Sequence, residues 1–440
     1  MKIHIPARPP GYLSAPLLLG LSGGLDSIAL LHLLANDTRI DPTRLSAIHV
    51  HHGLQSEADA WAAHCTQACE TLNVPIRLAR VDVDRHHRQG LEAAAREARY
   101  TAFRQALKPE QVLVTAHQLE DQAETFLLRA LRASGPDGLA CMRPWRPFAS
   151  GWHWRPLLDV PRRDLLAYAR SNELIWIEDP SNDSHDYDRN FLRHQVLPLL
   201  GKRWPRAVGA LAQSARLNAE ASDLLLEEDI RSLHRAFLDE DRRTLSVMSL
   251  TALSSARRAR VLRYWLRDLG LPPLPISGSL RIESDLLRAR ADASAGFAWS
   301  GASIRRWRDQ LHADWDRPPT SPTWKTQWDG RTPLQLPDGS MLSLHDGTGN
   351  PGASGFDNPL EARARRGGER IVLPGRRHSH SLKHALQEYG VPPWQRERIP
   401  LLSDHEGRLL AAGTSILSAF LKQWLDERRL RLSWTIPSRS

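Results

Sequence analysis

Ser22-Gly23-Gly24-Leu25-Asp26-Ser27 has the residue types that a pyrophosphate needs around it. Glycines let successive backbone N–H groups approach anionic oxygens. A helix beginning at Ser27 adds its positive end, and the hydroxyls of Ser22 and Ser27 donate hydrogen bonds. The chain has no phosphate loop ending in Gly-Lys-Ser or Gly-Lys-Thr, so no lysine is supplied to a γ-phosphate. Asp26 stands in the loop instead, where a carboxylate holds Mg2+ against phosphates. This set suits retention of pyrophosphate while the α-phosphorus is attacked, which is transfer of AMP from ATP. Ser22, Gly23, Gly24, Leu25, Asp26 and Ser27 are therefore the expected nucleotide contacts.

A second group lies in Thr115–Thr125, where Glu120, Asp121 and Glu124 crowd three carboxylates into a helix start. Negative charge there complements the helix dipole; beside the glycine loop it also serves metal binding and base catalysis. Asp121 and Asp26 are the expected metal ligands, and His117 is expected at the nucleotide. His49 opens His49-Val50-His51-His52-Gly53 at another strand end. Adjacent strand residues point to opposite faces, so these histidines suit a nucleotide-facing edge better than a zinc site. Arg96, Arg99 and Tyr100 share a helix face by their spacing. Arg96 is a catalytic candidate, with a solvated, ion-paired helix as the competing reading. The same two readings apply to Arg189-Asn190-Phe191-Leu192-Arg193.

Elements that would position these residues alternate regularly. Pro16 to Leu21, Leu45 to Val50, Ile76 to Val83 and Val112 to Ala116 read as strands. Ser27 to Ala35, Ala58 to Leu72, Leu91 to Leu107 and Asp121 to Arg132 read as the helices between them. Such alternation predicts an α/β fold with a doubly wound parallel sheet, whose ligands bind at the carboxyl ends of the strands. The glycine loop and His117–Asp121 both fall on that edge. A long periodic stretch from Arg206 to Phe237 leads into a mainly helical module, with strand-like pieces near Phe297 and Ile304. Residues beyond Gly355 read as a small α+β domain. The expected division is a catalytic domain over 1–202, a helical substrate-binding domain over 203–350 and a C-terminal domain over 351–440.

At 440 residues, two or three domains are expected. No run approaches the ~20 apolar residues of a membrane span, and three cysteines without a CxxC pair make neither a disulfide framework nor a cluster site. A cytoplasmic location follows. The net charge is +9, and all but six of the 59 basic residues are arginine. Arginine forks match phosphates, so a polyanionic partner and a plain compositional bias carry similar weight. Fifteen tryptophans, several beside arginines, are read mainly as amphipathic core positions rather than base-stacking platforms.

The ordered set of segments closely resembles the tRNA(Ile)-lysidine synthetase family of the N-type ATP pyrophosphatase (PP-loop) superfamily. The segments are SGGLDS at Ser22–Ser27, HVHHGL at His49–Leu54, EAAAREARY at Glu92–Tyr100 and TAHQLEDQAET at Thr115–Thr125. RPLLDVPR follows at Arg155–Arg162, DPSN at Asp179–Asn182 and RNFLR at Arg189–Arg193. RRGGERIVLPGRR at Arg365–Arg377 and PPWQRERIPLL at Pro392–Leu402 complete it. The resemblance implies an ATP- and Mg2+-dependent ligase acting on the isoleucine tRNA with a CAU anticodon. ATP adenylates O2 of the wobble cytidine and free lysine then attacks C2. For such a reaction, position after the fourth strand suggests a metal or base role for Asp121 and a hold on the lysine ammonium for Glu124. A homodimer is an admissible assembly. Two departures stand out: the family usually has two aspartates where this chain has Glu120-Asp121, and often an arginine where Gln55 stands. A tRNA thiolase of the same superfamily and a tRNA-binding protein with a decayed ATP site are the rival readings.

Overall fold

The computed structural model describes residues 3–84, 90–179, 188–238, 242–288, 295–317, 319–346 and 355–435. Two compact units divide the chain, Met1–Glu228 and Asp229–Ser440.

In the first unit, β1 (Leu17–Gly20) is followed by α1 (Leu25–Ala35), β2 (Leu45–His51), α2 (Ala58–Thr71) and β3 (Ile76–Arg80). Then come α3 (Leu91–Ala106), β4 (Val112–Val114) and α4 (Leu119–Leu131). The sheet order is β3-β2-β1-β4 extended by β6 (Gly151–Trp154) and β5 (Trp145–Phe148). All neighbours are parallel except β5 against β6. Leu17, Leu18 and Leu19 of β1 and all three residues of β4 are buried. That is the continuous apolar run of a strand covered on both faces, and helices pack on either side. The expected doubly wound sheet is present. Its order reverses at β1, which pairs with both β2 and β4. A crevice therefore opens beyond the carboxyl ends of β1 and β4, the place where such sheets bind ligands.

The sequence reading missed β5 and β6. Pro147 sits in β5, where it is tolerated because β5 is the edge strand. The segment that carries Arg189 and Arg193 is an interrupted helix: Asp188–Phe191 is α-helical, Leu192–Val196 forms a π-turn, and Leu197–Arg203 resumes the α-helix. Of DPSN, Pro180, Ser181 and Asn182 lie outside the described residues.

The second unit begins within the long helix Ala207–Ala236. A four-stranded antiparallel sheet follows: β7 (Thr244–Ser246), β8 (Ala295–Trp299), β9 (Ala302–Trp307) and β10 (Gln310–Trp315), in the order β7-β10-β9-β8. It shares a core with Val261, Leu262, Trp265 and Leu266 of the helix Ser255–Asp268. Trp265 is fully buried and donates from Nε1 to the Arg242 carbonyl at 2.7 Å, the core role expected of most tryptophans. Farther on, Lys325–Trp328 pairs with Leu360–Arg363, and Met341–His345 pairs with Arg431–Thr435. The division expected at residue 350 thus falls between strands that share sheets. Residues 347–354, beside that division, lie outside the described residues. No helix among the described residues is long and apolar enough to cross a membrane.

Candidate active site

The glycine loop is shaped by its own hydrogen bonds. Gly24 caps α1 with an extended backbone, and the first turn is closed by Ser27 N–H and Ile28 N–H donating to the Gly24 carbonyl. Ser27 Oγ accepts from Ser22 N at 3.3 Å and Gly23 N at 3.1 Å, and lies 3.0 Å from Ser22 Oγ. Backbone and hydroxyl donors thus converge on one oxygen, the arrangement that receives a phosphate oxygen at a helix N-terminus. Leu25 is buried behind the loop.

The two glycines differ. Gly23 has φ +89°, and a Cβ there would lie 2.9 Å from Ile177 Cδ1 and 3.0 Å from Cys65 Sγ. Gly24 has φ −76°, and its Cβ would meet nothing closer than Ser22 Oγ at 3.7 Å. The fold therefore demands glycine at the first position only. For the second we propose close approach of a ligand to the backbone as the reason for glycine.

Asp26 lies in the first turn of α1, and its Oδ1 is buried without a hydrogen-bond partner. Burial raises its pKa to about 7, and the Asp121 and Glu120 carboxylates push the same way against Arg162 and Arg193. An acid in the first turn of α1 thus feels the charge of one in the first turn of α4. Asp121 is already engaged: its Oδ2 accepts from Gln118 N–H at 3.1 Å, and its Oδ1 accepts from Arg193 Nη2 at 3.0 Å. Gln118 Oε1 in turn accepts from Glu120 N–H, completing a capping box on α4.

Glu124, one turn along α4, is fully buried. Both its oxygens accept from Arg193, at 2.7 and 3.1 Å, and Arg189 Nε lies 3.2 Å away as an ion pair without hydrogen-bond alignment. Burial pushes Glu124 upward in pKa, opposed chiefly by Arg193. Arg193 sits inside the π-turn, a local widening frequent at functional sites. It joins the two acids that sequence spacing singled out. The sequence left its role open, because helical periodicity does not reveal a π-turn.

A histidine chain runs behind α4. Thr115 Oγ1 lies 2.7 Å from His117 Nδ1 and 2.8 Å from His153 Nε2, and His153 Nδ1 is 3.0 Å from Arg155 Nη2. Burial holds both imidazoles neutral: His153 falls to about 2 and His117 well below its ordinary value, with Arg155 as the leading cationic neighbour of each. His153 lies on the strand the sequence reading missed. Arg96 is exposed, its guanidinium 5.0 Å over the Tyr100 ring. His49 is buried with Nδ1 3.0 Å from the Leu21 carbonyl and 3.3 Å from Cys65 Sγ, so it ties β2 to the end of β1.

Three family models match the chain in order: a PP-loop domain over residues 9–200, a TilS substrate binding domain over 245–312 and a TilS substrate C-terminal domain over 360–434. The tRNA(Ile)-lysidine synthase of Xanthomonas axonopodis pv. citri is 52% identical over 430 residues, covering 98% of this chain and 95% of that one. The chain belongs to the tRNA(Ile)-lysidine synthase family. The corresponding protein of Xylella fastidiosa strain 9a5c is 52% identical, with 95% of each chain covered. That of Yersinia pseudotuberculosis is 40% identical, with 91% and 90% covered. A solved U34-tRNA thiolase from Methanococcus maripaludis is also similar, with a TM-score of 0.40 and 18% identity over 47% of this chain and 73% of that chain. Nothing about activity follows from a likeness of that degree.

The Glu120 side chain has a visible use. Its Oε2 accepts at 2.9 Å from Arg162 N–H, at the start of the helix Arg162–Ser171. The carboxylate thereby satisfies an orphan helix donor instead of reaching toward a ligand.

Two predictions follow from the loop. Gly23→Ala should lose stability by about 1–2 kcal/mol from the left-handed backbone alone. Gly24→Ala should unfold like the wild type yet bind ATP roughly tenfold more weakly, about 1.4 kcal/mol. Unchanged ATP affinity in calorimetric titration of Gly24→Ala would remove the ligand-based account of that glycine. With a folded pKa of about 7 against 3.8, ionised Asp26 opposes folding fully above about pH 7 and not at all below 3.8. In chelator, Asp26→Asn should therefore raise Tm at about pH 8 and leave it unchanged near pH 3.8. A Tm gain independent of pH would contradict the burial of that charge.

Proposed function

We propose that this chain ligates lysine to C2 of the wobble cytidine of the CAU-anticodon isoleucine tRNA, through an O2-adenylated cytidine, with release of pyrophosphate and then AMP. The observation that supports it best is the β1–β4 crevice, where a phosphate-receiving loop and an acidic cluster meet. The cytosine O2 attacks the α-phosphorus of ATP and pyrophosphate leaves. Ser22, Gly23 and Ser27 supply the donors that hold the departing group.

Mg2+ fits this site through Asp26, whose buried Oδ1 lacks a partner; bound there, it would neutralise charge on the phosphates. Among the described residues no set of three or more acids, histidines or cysteines forms a cage, so phosphate and water oxygens would complete its shell. Asp121 is proposed to share that metal role or to act as base.

The second half-reaction needs an uncharged amine. A free lysine ammonium has a pKa of about 10.4, so a carboxylate must take its proton before N attacks C2 and the C2–O bond to AMP breaks. We assign Asp121 to the proton and Glu124 to the ammonium. Arg193 already spans both acids, so an incoming ammonium would share the carboxylates with that guanidinium. Arg96, His49 and His117 are proposed to line the nucleotide and cytidine side of the crevice. The product base pairs with A in place of G, which converts a methionine identity to isoleucine. These substrates share the bacterial cytoplasm, where this reading puts the chain.

The test is release of pyrophosphate and AMP from purified tRNAs, with and without lysine. Pyrophosphate should require the CAU isoleucine tRNA, and AMP should require lysine. Release indifferent to both would overturn the reading. In the same assay Asp121→Asn and Glu124→Gln should lose activity, most severely at low lysine, and wild-type rates there would remove both assignments.

The cysteines separate this from a thiolase. Burial pushes the Cys65 thiol up to about 12 and those of Cys69 and Cys141 to about 11, so none is a ready thiolate nucleophile. The triple replacement of Cys65, Cys69 and Cys141 by alanine should keep lysine-dependent AMP release. Its abolition in a folded variant would favour sulfur chemistry.

A further inference from the structure

The second unit carries a cationic cluster that takes no part in the chemistry above. The turn between β9 and β10 contains Arg308 at φ +54°, a conformation that suits glycine and strains arginine. Its guanidinium lies 4.4 Å over the ring of its neighbour Trp307. Arg396, ending the short helix Pro393–Arg396, places its guanidinium 5.8 Å from the centre of that same ring. Arg308 and Arg396 belong to segments matched by two different family models, so two modules of this unit meet at one indole.

Their meeting is fixed by other contacts. His312 of β10 and Trp394 stack at 5.5 Å with planes 19° apart. Arg398 donates to the Arg317 carbonyl at 2.6 Å, and Arg308 Nη2 donates to the Gln387 carbonyl at 3.4 Å. Arg396 Nε donates to the Val391 carbonyl at 2.7 Å. Other arginines of this unit have carboxylates, Arg258 with Glu283 at 2.6 Å and Arg260 with Asp229 at 2.8 Å. Among the described residues, Arg308 and Arg396 form no ion pair. Burial and the charges of Arg365 and Arg308 lower the pKa of Arg396, the effect of positive charge gathered without compensation.

A guanidinium stacked on an indole spends its face and keeps N–H edges for donation. Both guanidinium groups lie by the Trp307 ring, so the cluster presents charge and N–H donors. We infer that Arg308 and Arg396, oriented on Trp307, form a clamp for the phosphodiester backbone of the tRNA substrate. The clamp rests on the reading that tRNA is that substrate. It would position RNA by charge and geometry without reading sequence.

The test is binding of an unmodified CAU isoleucine tRNA transcript by the full chain across a salt series, for Arg308→Gly, Arg396→Gln and the double variant. Arg308→Gly relieves the left-handed backbone, so its Tm should hold or rise, which separates lost binding from lost folding. Each single variant should flatten the log Kd against log salt slope by about 1, and the double variant by about 2. Kd at moderate salt should rise roughly tenfold in the double variant, while the AMP-release rate at saturating tRNA stays unchanged. A double variant with wild-type Kd and slope overturns the clamp alone. A double variant that keeps tRNA affinity and loses binding of a polyglutamate peptide overturns it in favour of an acidic protein partner. A wild-type chain that does not bind the transcript overturns the functional reading together with the clamp.

Discussion

Crowding of acids across the β1–β4 crevice is the constraint around which the first unit is arranged. Asp26, Asp121 and Glu124 are brought together by a topology that places two strand ends side by side. Burial raises the pKa of Asp26 and of Glu124, and the Asp121 charge adds to it in both. Arg193 offsets this by bridging Asp121 and Glu124, and Arg189 adds a second cation against Glu124. Asp26 Oδ1 has no hydrogen-bond partner among the described residues, so its charge is the one left without an internal match. Residues far apart in sequence therefore serve a single electrostatic balance.

Much of this was legible in the sequence, for physical reasons. A strand buried on both faces must be continuously apolar, so Leu17–Leu19 and Val112–Val114 announced themselves, and the glycine loop followed from its spacing after β1. The edge was harder. Trp145-Arg146-Pro147-Phe148 and Gly151-Trp152-His153-Trp154 lack the β-branched residues and clean alternation that mark a strand, and with them the histidine chain through His153 went unseen. Arg193 was visible as a residue and ambiguous as a participant, because the π-turn displaces it from where an α-helix would put it. The strand pairings that span residue 350 were hidden for a different reason. Short strands such as Lys325–Trp328 carry too few residues to show their partners, which lie far along the chain.

The arginine content, ambiguous as composition, divides once positions are known. Many arginines are consumed internally: Arg258, Arg260 and Arg193 hold buried or half-buried carboxylates, and Arg306 donates to the Leu286 and Leu287 carbonyls. Others, such as Arg308 and Arg396, lie by an aromatic ring and form no ion pair among the described residues. Net charge sums these two populations and so reports neither.

The π-turn at Leu192–Val196 also acts as a gauge of chain length. A π-turn holds one residue more than the α-turn it replaces, so the segment accommodates a surplus residue at the place where Arg193 must meet two acids. Excision of a single residue there would restore an ordinary helix and rotate the guanidinium about 100° around the axis, leaving Glu124 buried beside one cation fewer. The contact of Arg193 with both acids thus depends on the residue count across this one turn of helix.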